Sequence, residues 1–161
     1  MTLSTDRTAA HVSLDEALVD LRRLWMHPRL LRWFSEQVGH DVELATLRTL
    51  RAIESAPGDS PGVKDLAAIL AVDASTASRL VEQSVAEGYV ERRSSEADRR
   101  RTQLRLTPSG ERLLERSTEV RGRMLGRATS GWDDEELMTL AGLLARLQTD
   151  LRGLLEHEDC P

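Results

Sequence analysis

The sequence predicts a mainly α chain that carries one small β-hairpin. Three observations support this. Apolar residues recur at steps of three and four through most of the 161 residues. The period changes to alternation once, between Tyr89 and Thr107. Beyond Thr107 the helical spacing resumes, and it is cleanest in the last thirty residues or so. A chain of this length is expected to form one domain per subunit around one substantial core.

Residues 1–12 show no periodicity and are read as a mobile arm. From Leu14, the residues Ala17, Leu18, Leu21, Leu24 and Trp25 continue a helical stripe until Pro28 interrupts it. Leu30, Leu31, Trp33, Phe34 and Val38 extend it to Gly39, a helix stop. Asp41 is placed to cap a second helix bearing Leu44, Leu47, Leu50 and Ile53. Ser60 and Pro61 read as the start of a short helix with Val63, Leu66, Ala67 and Leu70 inward. Asp73 caps the next, with Ala77, Leu80, Val81 and Val85 inward, and Gly88 closes it. Two short helices around an Ala71-Val72 turn form a helix-turn-helix pattern.

Tyr89–Arg93 and Thr102–Thr107 read as strands, with the polar stretch 94–101 as the exposed hairpin tip. Pro108 opens a helix running from about Ser109 to Arg127. After Ser130-Gly131-Trp132-Asp133 breaks the chain, a last helix carries Leu137, Leu140, Ala141, Leu144, Leu147, Leu151, Leu154 and Leu155. The architecture is therefore a helix-turn-helix with a hairpin wing at 61–107, flanked by helical regions at 14–38 and 109–156. So broad a leucine stripe calls for a partner surface; core packing within one subunit could supply it, and a homodimer built by the terminal helices is the expectation, because a 47-residue winged module offers too few helices to cover both terminal ones.

Composition narrows the function. Hydrophobic residues are 40% and charged residues 30%, and no run approaches the roughly 18 apolar residues of a membrane span. The N-terminal stretch carries acids and no apolar core, so it does not read as a secretory signal, and a cytoplasmic protein is expected. The single cysteine, Cys160, excludes an intrachain disulfide, and its acidic neighbours Glu156, Glu158 and Asp159 disfavour a reactive thiolate.

A net charge of −5 seems wrong for a nucleic-acid binder, but it is unevenly spread. Between Arg92 and Arg105 six arginines stand against Glu96 and Asp98, a local +4 that leaves −9 on the rest of the chain. Such a distribution attracts a polyanion to one patch and repels it elsewhere. Arg99, Arg100 and Arg101 repel one another on the hairpin tip, a placement that an external polyanion explains and internal packing does not. Of the 22 cationic residues only Lys64 is lysine, and arginine suits the minor groove and phosphate forks.

In a helix-turn-helix the second helix enters the major groove with its N-terminal residues against base edges. Here those are Ala74, Ser75, Thr76, Ser78 and Arg79: small residues allow close approach, hydroxyls bond bases or phosphates, and arginine makes a bidentate contact with guanine. The chain contains no asparagine, leaving glutamine as the adenine reader, and Gln83 is the only one within this helix.

The stretches from Val63 to Ala67, from Ser75 to Glu82 and from Glu87 to Arg92 resemble the MarR family of bacterial regulators. Asp98-Arg99-Arg100-Arg101, leading into Leu104-Arg105-Leu106-Thr107-Pro108-Ser109-Gly110, is similar to that family's wing signature of Asp-x-Arg followed by Leu-Thr-x-x-Gly. One departure is Ser84, where the family usually has leucine in the recognition helix. The resemblance implies a two-fold dimer on a pseudo-palindromic operator in double-stranded DNA. It also implies that Arg100 reaches the minor groove or backbone while Asp98 supports the wing. It further implies a repressor released by a small aromatic or phenolic effector bound between the dimer helices and the winged module. Trp25, Met26, His27, Trp33, Phe34 and His40 are the candidate pocket residues.

Other classes find less support. His11, His27, His40 and His157 are scattered without metal-ligand spacing, so no metal or cofactor is expected. No hydrolase, metalloprotease or phosphate-loop motif occurs, so no enzyme is expected. A winged-helix module that binds proteins rather than an operator is the competing reading, favoured by the acidic total charge.

Overall fold

Seven helices and one two-stranded antiparallel sheet make up residues 3–39, 42–57, 61–94 and 102–156, which the computed structural model describes. Helix α1, Leu3–Trp25, begins where a mobile arm was expected. The missing periodicity reflects an element exposed on almost every face rather than an absence of helix: no Gly or Pro interrupts the span, and Asp6 lies in the first turn, where the helix dipole favours an acid. Pro28 ends this run as expected. It takes the first position of α2, Pro28–Val38, and the His27 ring nitrogen Nδ1 accepts the Arg29 N–H. Gly39 closes α2 at φ 143°, a conformation that side-chain-bearing residues rarely adopt.

Helix α3, Leu44–Ser55, starts after Glu43 rather than at Asp41, which lies outside the described residues. Helix α4, Val63–Leu70, likewise starts later than the Ser60-Pro61 reading. Asp65 at its third position accepts the Gly62 N–H at 2.8 Å, so an acid inside the helix replaces a serine before it. Pro61 is buried instead beside the hairpin, its carbonyl accepting the Leu104 N–H at 2.9 Å. Ser60 lies outside the described residues.

Helix α5, Ala74–Ala86, corrects the expected inward stripe at one place. Ser84 is fully buried and Val85 is 36% exposed. The step from Ala77 to Val81 to Ser84 follows the helical period. The Ser84 hydroxyl is satisfied within the core by donating to the Leu80 carbonyl at 2.9 Å. Strands β1, Val90–Ser94, and β2, Thr102–Leu106, pair in register from Val90 opposite Leu106 to Ser94 opposite Thr102.

The chain divides into two compact units between Arg121 and Gly122, inside α6, Pro108–Ala128. The first unit holds the core: Phe34 and Val38 of α2, Leu47, Leu50 and Ile53 of α3, Leu66, Val81, Val90, Leu104, and Leu113, Leu114 and Val120 of α6. Complete burial of leucines such as Leu50, Leu66 and Leu104 contributes about 1.5–3 kcal/mol each. In the second unit, α7, Asp134–Glu156, is opened by reciprocal bonds: the Glu136 N–H donates to Asp133 at 2.8 Å and the Asp133 N–H to Glu136 at 3.0 Å.

Candidate nucleic-acid interface

The turn between α4 and α5 is made by Ala71 in the left-handed region, φ 53° and ψ 49°. Its neighbour's N–H, that of Val72, reaches back to the Ala67 carbonyl at 3.0 Å, satisfying an end carbonyl of α4. Asp73 then caps α5 by accepting the Thr76 N–H at 2.8 Å. With Ala77, Val81 and Ser84 facing the core, the opposite face of α5 carries Ser75 and Arg79, one turn apart and exposed. Arg79 makes no hydrogen bond or ion pair among the described residues, leaving its guanidinium available to a ligand.

The hydroxyls of this segment are engaged. Ser75 Oγ donates to Asp73 Oδ1 at 2.5 Å and Thr76 Oγ1 to Asp73 Oδ2 at 2.7 Å, while Ser78 Oγ donates to Glu82 Oε1 at 3.3 Å. The Ser75 hydroxyl first, then the Thr76 hydroxyl and amide, stabilise the Asp73 carboxylate and hold its pKa well below the ordinary carboxylate range. Further along, the Gln83 amide donates to Glu87 at 3.0 Å, and the other oxygen of Glu87 accepts from the buried Thr46 hydroxyl at 2.8 Å. That chain ties the end of α5 to α3 and draws Gln83 away from an outward reading role.

The basic hairpin is less free than its charge implies. Arg92 lies 3.9 Å from Glu82 of α5, and Arg93 is 2.6 Å from Glu91. Both pairs are exposed, so each contributes little to stability, yet each offsets part of the local positive charge. Arg99, Arg100, Arg101 and Asp98 lie outside the described residues. The base of the hairpin is fixed by Thr107: its hydroxyl donates to the Gly88 carbonyl at 2.7 Å, its N–H to the Tyr89 carbonyl at 3.0 Å, and its oxygen accepts the Gly110 N–H at 3.1 Å. One residue thus caps α6 and closes the hairpin, a role that sequence periodicity does not reveal.

A family model described as the MarR family matches residues 40–101. The HTH-type transcriptional regulator BilQ of Clostridium symbiosum (strain WAL-14163) is 32% identical over 113 residues, covering 70% of this chain and 77% of BilQ. The chain belongs to the MarR family. It is accordingly a transcriptional regulator. A MarR family protein from Bacillus stearothermophilus shares the fold at a TM-score of 0.67 and 21% identity, covering 86% of this chain and 97% of that one. A MepR mutant of S. aureus bound to an oligodeoxyribonucleotide gives 0.57 at 24% identity, over 83% of this chain and 97% of MepR. MepR bound to ethidium bromide gives 0.56 at 20% identity, over 79% and 94%. These likenesses establish the mainly helical winged fold with its two-stranded hairpin.

Within this MarR-family fold the candidate effector residues are dispersed in burial. Phe34 is part of the core, with the Arg121 guanidinium 5.8 Å from its ring centroid; Trp33 packs against that core from its edge. Trp25 is half-buried, Met26 is 62% exposed, and His27 serves as the cap of α2. His40 lies outside the described residues. Partial burial and the nearby Arg51 lower the pKa of Arg121, which remains a cation over the ring. A separate cleft of about 520 Å³ is lined by Val38, Gly39, Val42, Tyr89, Arg112, Leu113 and Arg116. Arg116 is anchored there by donating to the Gln37 carbonyl at 3.2 Å. No group of three or more metal-binding side chains occurs among the described residues, and none of their helices is long and apolar enough to cross a membrane.

Proposed function

We propose that this MarR-family regulator is a cytoplasmic homodimer that binds a pseudo-palindromic operator in double-stranded DNA, represses transcription there, and is released by a small aromatic or phenolic effector. The observation that carries the reading is the outward face of α5, where Ser75 and Arg79 stand exposed while the opposite face is locked into the core. Ser75, Thr76, Ser78 and Arg79 are the specifying contacts; Arg99, Arg100 and Arg101, with Asp98 in support, are the positioning ones. MepR bound to an oligodeoxyribonucleotide supports the DNA partner, and MepR bound to ethidium bromide supports an aromatic effector. The effector is assigned to Trp25, Met26, His27, Trp33, Phe34 and His40.

The homodimer is supported by apolar side chains left in solvent. Leu18, Leu21 and Leu24 of α1 and Leu140, Leu144, Leu151 and Leu154 of α7 are 37–62% exposed in the isolated chain. A second copy supplies the missing cover.

Fluorescence anisotropy on duplexes from the DNA flanking its own gene tests the proposal. Affinity is expected to fall steeply with salt, as counterions are released from several phosphates, and Arg100→Ala is expected to reduce the log–log slope by about 0.9. Absent or salt-insensitive duplex binding would instead favour a winged-helix module that binds proteins.

A further inference from the structure

The hydroxyls at the start of α5 are not free to act as donors. Asp73 is exposed and ionised at neutral pH, as an ordinary aspartate is, and the three groups that donate to it hold its pKa lower still. An ionised carboxylate can only accept, so the protons of Ser75 Oγ and Thr76 Oγ1 lie in the bonds to Asp73, 2.5 and 2.7 Å long. What each hydroxyl presents elsewhere is its lone pairs. Phosphate oxygens, guanine O6 and N7 and thymine O4 are also acceptors, so they are repelled there, and the neighbouring carboxylate adds to that repulsion. Adenine N6 and cytosine N4 are the amino donors that a base offers in the major groove. Arg79, unpaired among the described residues and one turn from Ser75, supplies the opposite polarity.

We infer that Asp73 sets the operator specificity of α5 by making Ser75 and Thr76 acceptor-only readers, which select bases that present an amino group, adenine or cytosine, beside a guanine read by Arg79. This rests on the reading of α5 as the DNA-contacting helix. Asp73 is then a positioning residue acting through the two hydroxyls. Its own substitution makes a distinctive forecast. In Asp73→Asn the amide oxygen keeps the place of Oδ1, accepting the Thr76 N–H and the Ser75 hydroxyl, because asparagine caps as well as aspartate. The amide nitrogen takes the place of Oδ2, where it donates to Thr76 Oγ1 and turns that hydroxyl's proton outward. The Thr76 position should therefore switch from amino to keto bases while the Ser75 position stays unchanged.

The test is selection of binding duplexes from a random library by the full chain and by its Asp73→Asn, Ser75→Ala and Thr76→Ala variants. Affinities are then measured for the winning duplex with a contacted adenine replaced by purine, or a contacted cytosine by 2-pyrimidinone, each lacking the amino group. Removing the amino group is expected to weaken the unmodified protein about fivefold per contact, the worth of one net hydrogen bond, and to leave the matching alanine variant unaffected. Asp73→Asn is expected to enrich guanine or thymine where Thr76→Ala loses its preference. The inference is overturned if the positions sensitive to Ser75→Ala and Thr76→Ala prefer keto bases, or if Asp73→Asn leaves the preference at Thr76 as it was. It is also overturned if neither alanine variant alters any preference, an outcome that spares the operator reading as long as some sequence is enriched. Failure of the unmodified protein to enrich any sequence overturns the operator reading as well.

Discussion

Gly110 of α6 packs against the Tyr89 backbone at the entry to the hairpin, and replacing it with alanine probes how tightly those elements are joined. A Cβ at this position would overlap the Tyr89 carbonyl oxygen and stand 3.1 Å from the Tyr89 carbonyl carbon. The obstacle is backbone, which cannot rotate aside as a side chain would. Relief requires α6 and the β1 entry to separate, which strains the Thr107 N–H bond to Tyr89 and the Thr107 hydroxyl bond to Gly88. Overpacking of this kind costs about 1–3 kcal/mol, and each bond lost adds about 1. The better helix propensity of alanine returns about 1 kcal/mol. The expected net loss is about 2–4 kcal/mol, a fall in Tm of roughly 5–15 °C for a chain of this size. For Gly122 in the same helix an added Cβ would meet nothing within 4 Å among the described residues beyond its own helix backbone, so Gly122→Ala is the matched control and should stabilise by about 0.5–1 kcal/mol. Thermal melts followed by circular dichroism measure both. If Gly110→Ala proved as benign as Gly122→Ala, the close approach of α6 to Tyr89 would be refuted.

Three further outcomes are expected. Ser84→Leu forces extra side-chain volume into a fully buried site, so denaturant melts should show a loss of about 1–3 kcal/mol; a gain would mean that α5 is rotated away from the register that buries Ser84. Because hydrogen bonds hold the Asp73 pKa below its ordinary 3.8, the stability it contributes is present above that value and lost as pH falls below it. The difference in melting temperature between the parent chain and Asp73→Ala should therefore be constant above about pH 5 and shrink in more acid solution; growth of the difference on acidification would contradict the assignment. Leu144→Asp places a charge in the exposed stripe of α7 and should convert the proposed dimer to monomer in sedimentation velocity, with helix content retained; a parent chain that already sediments as a monomer would contradict the dimer.

Much of this architecture was legible because strong local signals and the packed core agree. Leu47, Leu50 and Ile53 fall at helical steps and are all buried; Pro28, Gly39, Asp73 and Gly88 mark ends that their backbone chemistry dictates. The departures occur where local chemistry has two solutions. Asp65 caps α4 from within, which left Pro61 free to bond the hairpin, and a serine could take a core position because its hydroxyl bonds back to the helix. An exposed helix such as the first part of α1 carries no apolar period to be read. At the surface proposed to face DNA, Ser75, Thr76, Ser78 and Arg79 were legible by residue type and spacing. Not legible there was that Asp73 and Glu82 hold the three hydroxyl protons, or that Glu82 and Glu91 stand beside Arg92 and Arg93. Those pairings depend on which rotamers and strand registers bring the groups together. The Asp-x-Ser-Thr spacing at residues 73–76 is the one signal that could have revealed the first of them.

In the proposed complex two copies of this chain present two α5 helices to one operator. Hydroxyl-radical footprinting of the DNA flanking its gene measures this directly. Two protected patches related by a dyad, with half-site centres about 10–10.5 base pairs apart or a multiple of that, are predicted. A single protected patch without a symmetry mate, or uniform protection independent of sequence, would rule out a two-fold complex on an operator.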